Sequence, residues 1–415
     1  MPGHDFSSAG APDPGSGGPF RQGEAGPRLT FAQAAGSGTS PDHPMAYRRT
    51  VAVNKLKIVL LSPSLEAISG VSTHVRILFA SALAREYELL HFQVGSEGRR
   101  ETALQKFTRF ALSPLQLALL LLHTEAQVIH LNTSLEPKAY WRDLVYLIVA
   151  RLLGRHVVNQ IHGGAMPADF FRGNRFLTWV LRRFLVSSDA VSVLSSAELA
   201  AYRKFDPRIR VHLVPNAIDP AGLADRTRSC NADGPLKLVY VGRLVRTKGL
   251  FEIIDAMAQL KRAGREIELC IAGEGTDQAA LMTASLQAGL EARIRFLGSV
   301  YGVDKWRLWL DSDVFVFPTY HREGLPYSLL EAMAAGCVPV TTSVAAIPDV
   351  MRDGEHGLFV PANDASALAM AVAALDDDRA GLFRMSGAAR QRALEHYTVG
   401  RLADDFRKLY AGCLA

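Results

Sequence analysis

The chain has 415 residues, 48% hydrophobic and 21% charged, which is ample for two core-bearing domains. Four cysteines, Cys230, Cys270, Cys337 and Cys413, show no Cys-x-x-Cys spacing, which excludes a dense disulfide framework and fits reduced cytosolic thiols. A net charge of +5 fits anionic substrates and an anionic membrane surface without calling for nucleic acid, and no apolar run reaches the roughly eighteen residues of a bilayer span.

The chain does not open on a charged start followed by an apolar core, so a secretory signal is not expected, and a cytoplasmic location is. Residues 1–50 are rich in Gly, Pro, Ser and Ala, cannot bury enough surface to offset ordering entropy, and are expected to be disordered. From residue 55, apolar runs of strand length recur at 56–61, 88–94, 127–131, 156–161, 190–194 and 210–214, with helical-length segments between most of them. This alternation predicts a parallel sheet with helices on both faces.

Ser69-Gly70-Val-Ser-Thr-His74 follows the first strand and opens a helix whose stripe is Val71, Val75, Leu78, Phe79, Ala82 and Leu83. Gly70 lets the backbone approach a ligand closely, whereas His74, inside the helix, suits packing equally well. Residues 111–122 are apolar but short, and Pro114 interrupts them. Ile161-His162-Gly163-Gly164 lies just past another strand end, where His162 either serves the structure or hydrogen-bonds a sugar or an acceptor. Residues 170–185 follow, with Arg172, Arg175, Arg182 and Arg183 among large apolar side chains on one expected helix. Such a helix either lies in an anionic interface or packs Phe176, Val180 and Phe184 on the sheet. Pro215-Asn216-Ala217-Ile218-Asp219-Pro220 ends the series, and the turn-rich stretch after it reads as an inter-domain linker.

A second series has strands at 236–241, 267–272, 294–297, 314–317, 338–341 and 358–360, and helices at 365–375, 379–396 and 400–412 close the chain. Gly242-Arg243-Leu-Val-Arg-Thr-Lys248-Gly249 sits between the first strand and helix of this series, a position where open α/β sheets bind ligands. Arg243 offers a fork of donors and Lys248 a point charge, together able to neutralise a diphosphate. In Gly273-Glu274-Gly275, the glycines allow close approach to a base or diphosphate, or simply make a tight turn. Asp311 and Asp313 are spaced as a metal-binding Asp-x-Asp but straddle a helix end and a strand start, so metal ligation is not expected.

The central stretch is Pro318-Thr-Tyr-His-Arg-Glu323-Gly324-Leu325-Pro326-Tyr-Ser328-Leu-Leu-Glu331-Ala-Met-Ala-Ala-Gly336. A helix is predicted to start at Pro326, leaving the N–H groups of Tyr327, Ser328 and Leu329 pointing out at a strand's carboxyl end. That makes an anion site suited to phosphate. Glu323 before it and Glu331 within the helix flank the site, as befits a diphosphate with hydroxyl-bearing groups on both sides. Two surface glutamates around an ordinary turn would show the same spacing.

This segment resembles the signature of glycosyltransferase family 4, retaining enzymes that use nucleotide-sugars and have the GT-B architecture, two facing Rossmann-like α/β domains with parallel sheets. The resemblance implies that Glu331 binds the ribose hydroxyls and that the 323–325 loop, with Glu323, Gly324 and Leu325, holds the transferred sugar. It gives Arg243 and Lys248 a pyrophosphate role through the Gly-Arg…Lys-Gly run, with Arg246 a non-matching control in the same loop. His162 matches a His-Gly placement implying a donor-sugar contact. Ser69 stands where the family often has a glycine, which weakens the role carried over to Gly70. Phe296-Leu-Gly-Ser-Val300 resembles the segment whose backbone reads the base.

The expected catalytic set is therefore Glu323, His162, Arg243 and Lys248. The expected donor-binding set is Glu331, Arg243, Lys248, Gly70, Gly275, Gly324, Leu325 and Ser328. The donor is a nucleotide-diphosphate sugar, the acceptor a glycan or lipid-linked hydroxyl, and neither metal nor other cofactor is expected. Domains are expected at 51–218 (acceptor side) and 219–396 (donor side), with 397–415 a helix returning to the first domain. A dehydrogenase would need Gly-x-Gly-x-x-Gly after a first strand, and an ATPase a Walker run, and neither is present. A glycoside hydrolase built on Glu323 and Glu331 would leave Arg243 and Lys248 without a task. A GT-B relative of other chemistry, an epimerase or a phosphorylase, stays open because architecture does not fix the reaction.

Overall fold

The computed structural model describes residues 55–96, 101–223, 234–322 and 324–414, so the N-terminal stretch expected to be disordered and most of the expected linker lie outside the described residues. The first sheet contains β1 (Lys57–Ser62), β2 (Glu88–Gln93), β3 (Val128–Leu135), β4 (His156–Gly164), β5 (Ala190–Val193) and β6 (Val211–Leu213), ordered β2-β1-β3-β4-β5-β6 and parallel throughout. Alternate residues face opposite sides. Val59, Leu61, Ile129, Leu131 and Val157 meet the helices Ala103–Thr124, Pro137–Leu152 and Arg175–Val186. Ile58, Leu60, Val128 and Val158 meet Gly70–Ala80 and the last helix, Val399–Leu414. Both faces are covered, which is why the centres of these strands read as apolar runs.

The second sheet contains β7 (Leu236–Val241), β8 (Ile267–Ala272), β9 (Ile294–Gly298), β10 (Val314–Phe317), β11 (Val338–Thr341) and β12 (Leu358–Phe359), ordered β12-β11-β10-β7-β8-β9, again parallel. The strand order reverses between β7 and β10, the kind of switch point outside whose carboxyl ends open α/β sheets bind ligands. The Asp313 carboxylate accepts the Lys237 amide at 3.0 Å and so ties these two strands together.

The two chain segments that cross between the sheets run side by side. The Ile218 amide donates to Tyr397 at 2.8 Å and the Val399 amide to Ile218 at 3.0 Å. Arg401 donates to the Pro215 carbonyl at 2.7 Å. Beyond this pairing the last helix crosses back to the first sheet, where Leu402, Phe406 and Tyr410 are fully buried, as GT-B architecture requires.

Several expected elements differ in detail. The apolar stretch 111–122 that Pro114 interrupts lies within one continuous helix, Ala103–Thr124. Proline removes the amide that would bond the carbonyl four residues earlier, and the Ser113 hydroxyl reaches that carbonyl, Phe110 O, at 3.4 Å. The helix expected over 170–185 begins only at Arg175, where Asn174 accepts the Leu177 amide at 3.0 Å. Of the trio expected to pack on the sheet, Phe184 is buried but Phe176 is 68% exposed and Val180 half-buried. His162, expected past a strand end, lies within β4.

Candidate functional site

The loops after β7, β8 and β10 lock together. A Cβ on Gly275 would lie 2.2 Å from the Leu244 carbonyl, and one on Gly273 only 1.9 Å from that of Gly242. Packing of loop on loop is therefore enough to require glycine at 275. Gly249 has φ +78°, and its Cβ would lie 2.2 Å from the Pro318 carbonyl, so the loop after β7 touches the loop after β10 backbone to backbone. The Tyr320 and His321 amides both donate to Thr247 O at 3.1 Å.

This packing sets the cations. Lys248 closes a short 3-10 turn and is buried, its Nζ 5.5 Å from the centre of the Phe317 ring. Arg243 is exposed, with its carbonyl accepting the Tyr240 hydroxyl at 2.9 Å. Arg246, the control, lies over Phe251 at 4.0 Å.

The helix after β10 spans Tyr327–Ala335, one residue later than expected, with Pro326 in the N-cap position. No side chain caps it, so its first amides, Ser328 among them, and its positive dipole end lie at the switch point. One turn on, Glu331 is buried and its Oε1 accepts from Lys305 Nζ at 2.6 Å. Lys305, on the helix Gly302–Leu310, was missed in the sequence because nothing in its local pattern marks a partner 26 residues away. Glu323 lies outside the described residues.

The opposite wall comes from the first sheet. A Cβ on Gly324 would stand 2.8 Å from the His162 carbonyl, so the loop expected to hold the sugar runs against the His162 backbone. Leu325 is buried, and its carbonyl accepts from Asn216 Nδ2 at 2.7 Å. His162 Nε2 is bonded to Asn132 Oδ1 at 3.0 Å. Its ring meets the His74 ring edge-on at 4.8 Å. His74 Nδ1 is bonded to the Tyr327 hydroxyl at 3.2 Å, which links the first sheet's first helix to the start of the donor-side helix. Gly70 opens that first helix with nothing within 4 Å of its Cβ position, and Ser69 caps it by accepting the Ser72 amide at 3.2 Å.

Burial pushes His74 down to about 3. Burial, with the other rings of the cluster close by, also holds His130 and His162 well below the ordinary histidine range. All three are neutral at pH 7. His162 then carries one ring N–H and one acceptor, suited to a hydroxyl-bearing ligand and unsuited to a strong base. Below the unfolded value of 6.5, the unfolded chain binds protons that the folded chain refuses, so folding stability falls as pH drops from 6.5 toward 3. His74 alone contributes a slope of about 1.4 kcal/mol per pH unit. A urea midpoint that is clearly lower at pH 5 than at pH 7 is expected. An unchanged midpoint would show that the cluster titrates normally.

The structure thus packs the loop carrying Lys248 against the loop after β10, which runs through Gly324 and Leu325 into the helix start with Ser328, pairs Glu331 on that helix with Lys305, and sets Gly324 against the His162 backbone of the first sheet. Asn216 and Asn132 join them without having been singled out by sequence, and Tyr327, expected for its amide, also contributes its hydroxyl. Two parallel six-stranded sheets with these loops at the switch point of the second define a GT-B protein.

Comparison with known proteins agrees. Residues 68–221 match Glycosyltransferase Family 4 and residues 224–392 match Glycosyl transferases group 1, and the chain belongs to this family. Mycobacterium tuberculosis glycogen synthase is 29% identical over 236 residues, 56% of this chain and 55% of that protein, so the match spans about half of the relative's length. The α-maltose-1-phosphate synthase of the same organism is 32% identical over 264 residues, 57% of this chain and 67% of the relative. An Anabaena protein solved with UDP-glucose superposes with a TM-score of 0.66 at 17% identity, covering 86% of this chain and 99% of its own, and shares the fold.

Proposed function

We propose that the protein is a retaining hexosyltransferase that moves a sugar from a nucleotide-diphosphate donor to a hydroxyl of a glycan or lipid-linked acceptor, in the making of a cell-surface polysaccharide or glycolipid. The observation that carries this reading is that the loops after β7 and β10, on either side of the switch point, touch at Gly249 and Pro318 and carry the buried Lys248, an uncapped helix start and, one turn on, the Glu331 carboxylate. Family membership supports it, and so does the Anabaena neighbour solved with UDP-glucose.

In this reading Glu331 receives the ribose hydroxyls, and Arg243, Lys248 and the Tyr327 helix start stabilise the departing diphosphate. Glu323, Gly324 and Leu325 hold the sugar, with His162 hydrogen-bonded to it from the other wall. The acceptor oxygen bonds to the anomeric carbon on the face the diphosphate leaves. The bond from that carbon to the phosphate oxygen breaks, its electron pair goes to the diphosphate, and the acceptor's proton passes to a phosphate oxygen. Closure of the two domains over the donor excludes the water that would otherwise intercept the sugar.

The test incubates purified protein with a panel of nucleotide-sugars and follows release of nucleoside diphosphate, in EDTA and with added Mg²⁺ or Mn²⁺. Release from one donor with metal chelated is expected, and product stereochemistry by NMR should match the donor's. Dependence on metal would return Asp311 and Asp313 to consideration. Turnover that needs inorganic phosphate, or that yields an epimer without an acceptor, would replace transfer by phosphorolysis or epimerisation.

A further inference from the structure

Three neighbouring helices on one face of the first sheet are apolar on the side facing away from the sheet as well as on the side facing it. In Pro137–Leu152, Tyr140, Leu147 and Ala150 are buried, while Trp141, Val145, Ile148 and Leu152 are exposed at spacings of four, three and four. Those spacings form one stripe along the solvent side. In Ala103–Thr124, Leu117 and Leu121 pack inward while Leu115, Leu119 and Leu122 are each more than half exposed. In Arg175–Val186 the exposed pair is Phe176 and Trp179, stacked at 6.1 Å. The helices adjoin. The Tyr146 hydroxyl donates to Ser113 Oγ at 2.9 Å, and Trp141 lies 5.9 Å from Phe171, just before the third helix. A contiguous apolar surface of this kind is rare on a protein that meets only water.

Charge selects the occupant. The three helices carry eight lysines and arginines, of which Arg109, Arg142, Arg151 and Arg182 are paired with Glu101, Asp143, Asp189 and Asp206, which leaves Lys106, Lys138, Arg175 and Arg183 as the excess positive charge. Lys138 and Arg175 stand in the first turns of their helices, at the positive dipole end, where a cation is disfavoured unless an anion faces it. A second copy docking through the same patch would set these cations against themselves. An anionic bilayer satisfies both features, with Trp141 and Trp179 at the depth tryptophan prefers. Among the described residues no helix is long and apolar enough to cross a membrane, so the surface can only be laid on one.

We propose that this three-helix face docks on an anionic lipid bilayer, its apolar stripes entering the boundary between headgroups and acyl chains and its basic residues meeting lipid phosphates. Each helix starts at the carboxyl edge of the sheet, the edge that bears His162. The inference does not depend on which sugar is transferred.

Flotation of the full chain with vesicles of phosphatidylcholine, alone or mixed with phosphatidylglycerol, tests it. Wild type should float with the mixed vesicles, bind less as salt rises, and shift its tryptophan emission to the blue. The Val145→Glu/Ile148→Glu variant should partition about tenfold more weakly or worse, and so should Lys138→Glu/Arg175→Glu. Met282→Glu/Leu286→Glu, on the exposed apolar side of the helix Gln278–Gln287, should float as wild type does. Should Val145→Glu/Ile148→Glu misfold, as judged by circular dichroism, Leu115→Glu/Leu119→Glu takes its place. Wild type left unbound by the mixed vesicles, or equal flotation with both vesicle types, overturns the proposal. So does a wild-type dimer that Val145→Glu/Ile148→Glu splits, which would make the face a protein interface. Donor hydrolysis measured alongside keeps the two readings separate, because the docking variants should hydrolyse donor at the wild-type rate.

Discussion

Replacing Lys248 by Met, or Arg243 by Ala, should lower turnover about 100-fold or more, the cost of removing one preorganised donor from a developing anion. Methionine keeps the buried stem and removes only the charge, so a loss of turnover cannot be put down to a cavity. Lys248 should show the larger effect. It is buried above Phe317 at the end of a turn fixed by Gly249, so its charge is weakly screened and already in place before the donor arrives. Arg243 is exposed and must order its side chain on binding, which should put part of its effect into KM. Arg246→Ala should stay within a few-fold of wild type, because that guanidinium lies on Phe251 rather than beside Lys248. Steady-state kinetics on the three variants decide it. Equal kcat for Lys248→Met and Arg246→Ala would remove the diphosphate role from the loop.

All twelve strands were legible in the sequence because each carries a short, mostly apolar stretch, as strands of a sheet flanked by helices do. Where the reading fell short, polar residues were the reason. Strand β3 was read as ending at residue 131, yet it continues through Asn132 and Thr133 to Leu135. In sequence Asn132-Thr133-Ser134 looks like a loop, but the first two are buried, and Asn132 holds His162. The glycine-rich loops were placed correctly, though Gly275 and Gly249 are needed for contacts between loops, which spacing cannot separate from contacts with a ligand. The histidine cluster was beyond reach for a further reason. His74, His130 and His162 come from three separate elements, and the final helix completes the cluster, with Tyr410 bonded to His130 at 2.8 Å across 280 residues. Local periodicity carries no information about such a meeting. The doubly apolar helix Pro137–Leu152 also passed unnoticed, since a pattern that is apolar on two sides reads simply as a buried helix.

The second large effect is expected at Glu331. Glu331→Ala should weaken binding of the free nucleoside diphosphate by roughly 10- to 100-fold, the range for losing hydrogen bonds to a charged acceptor. The Lys305 partnership sharpens the test. Lys305 Nζ sits 2.6 Å from Glu331 Oε1, which orients the carboxylate and neutralises it in a buried setting. A carboxylate has two oxygens and about four acceptor positions, so the vicinal ribose hydroxyls can bind it while Lys305 stays. Lys305→Ala should then weaken binding too, by about tenfold, because the carboxylate loses its orientation and its counter-charge. If instead Lys305 only occupies the site until the donor displaces it, Lys305→Ala should bind the diphosphate more tightly than wild type. Glu331→Gln separates charge from hydrogen bonding. It keeps one acceptor for a ribose hydroxyl but leaves the Lys305 charge poorly matched, so it should bind better than Glu331→Ala and worse than wild type. Titration calorimetry with the free diphosphate reads all four proteins on one scale, and the coupling between the two positions follows from the double variant Lys305→Ala/Glu331→Ala. An affinity that Glu331→Ala leaves untouched would take the ribose away from this carboxylate and reduce the ion pair to a brace between two helices.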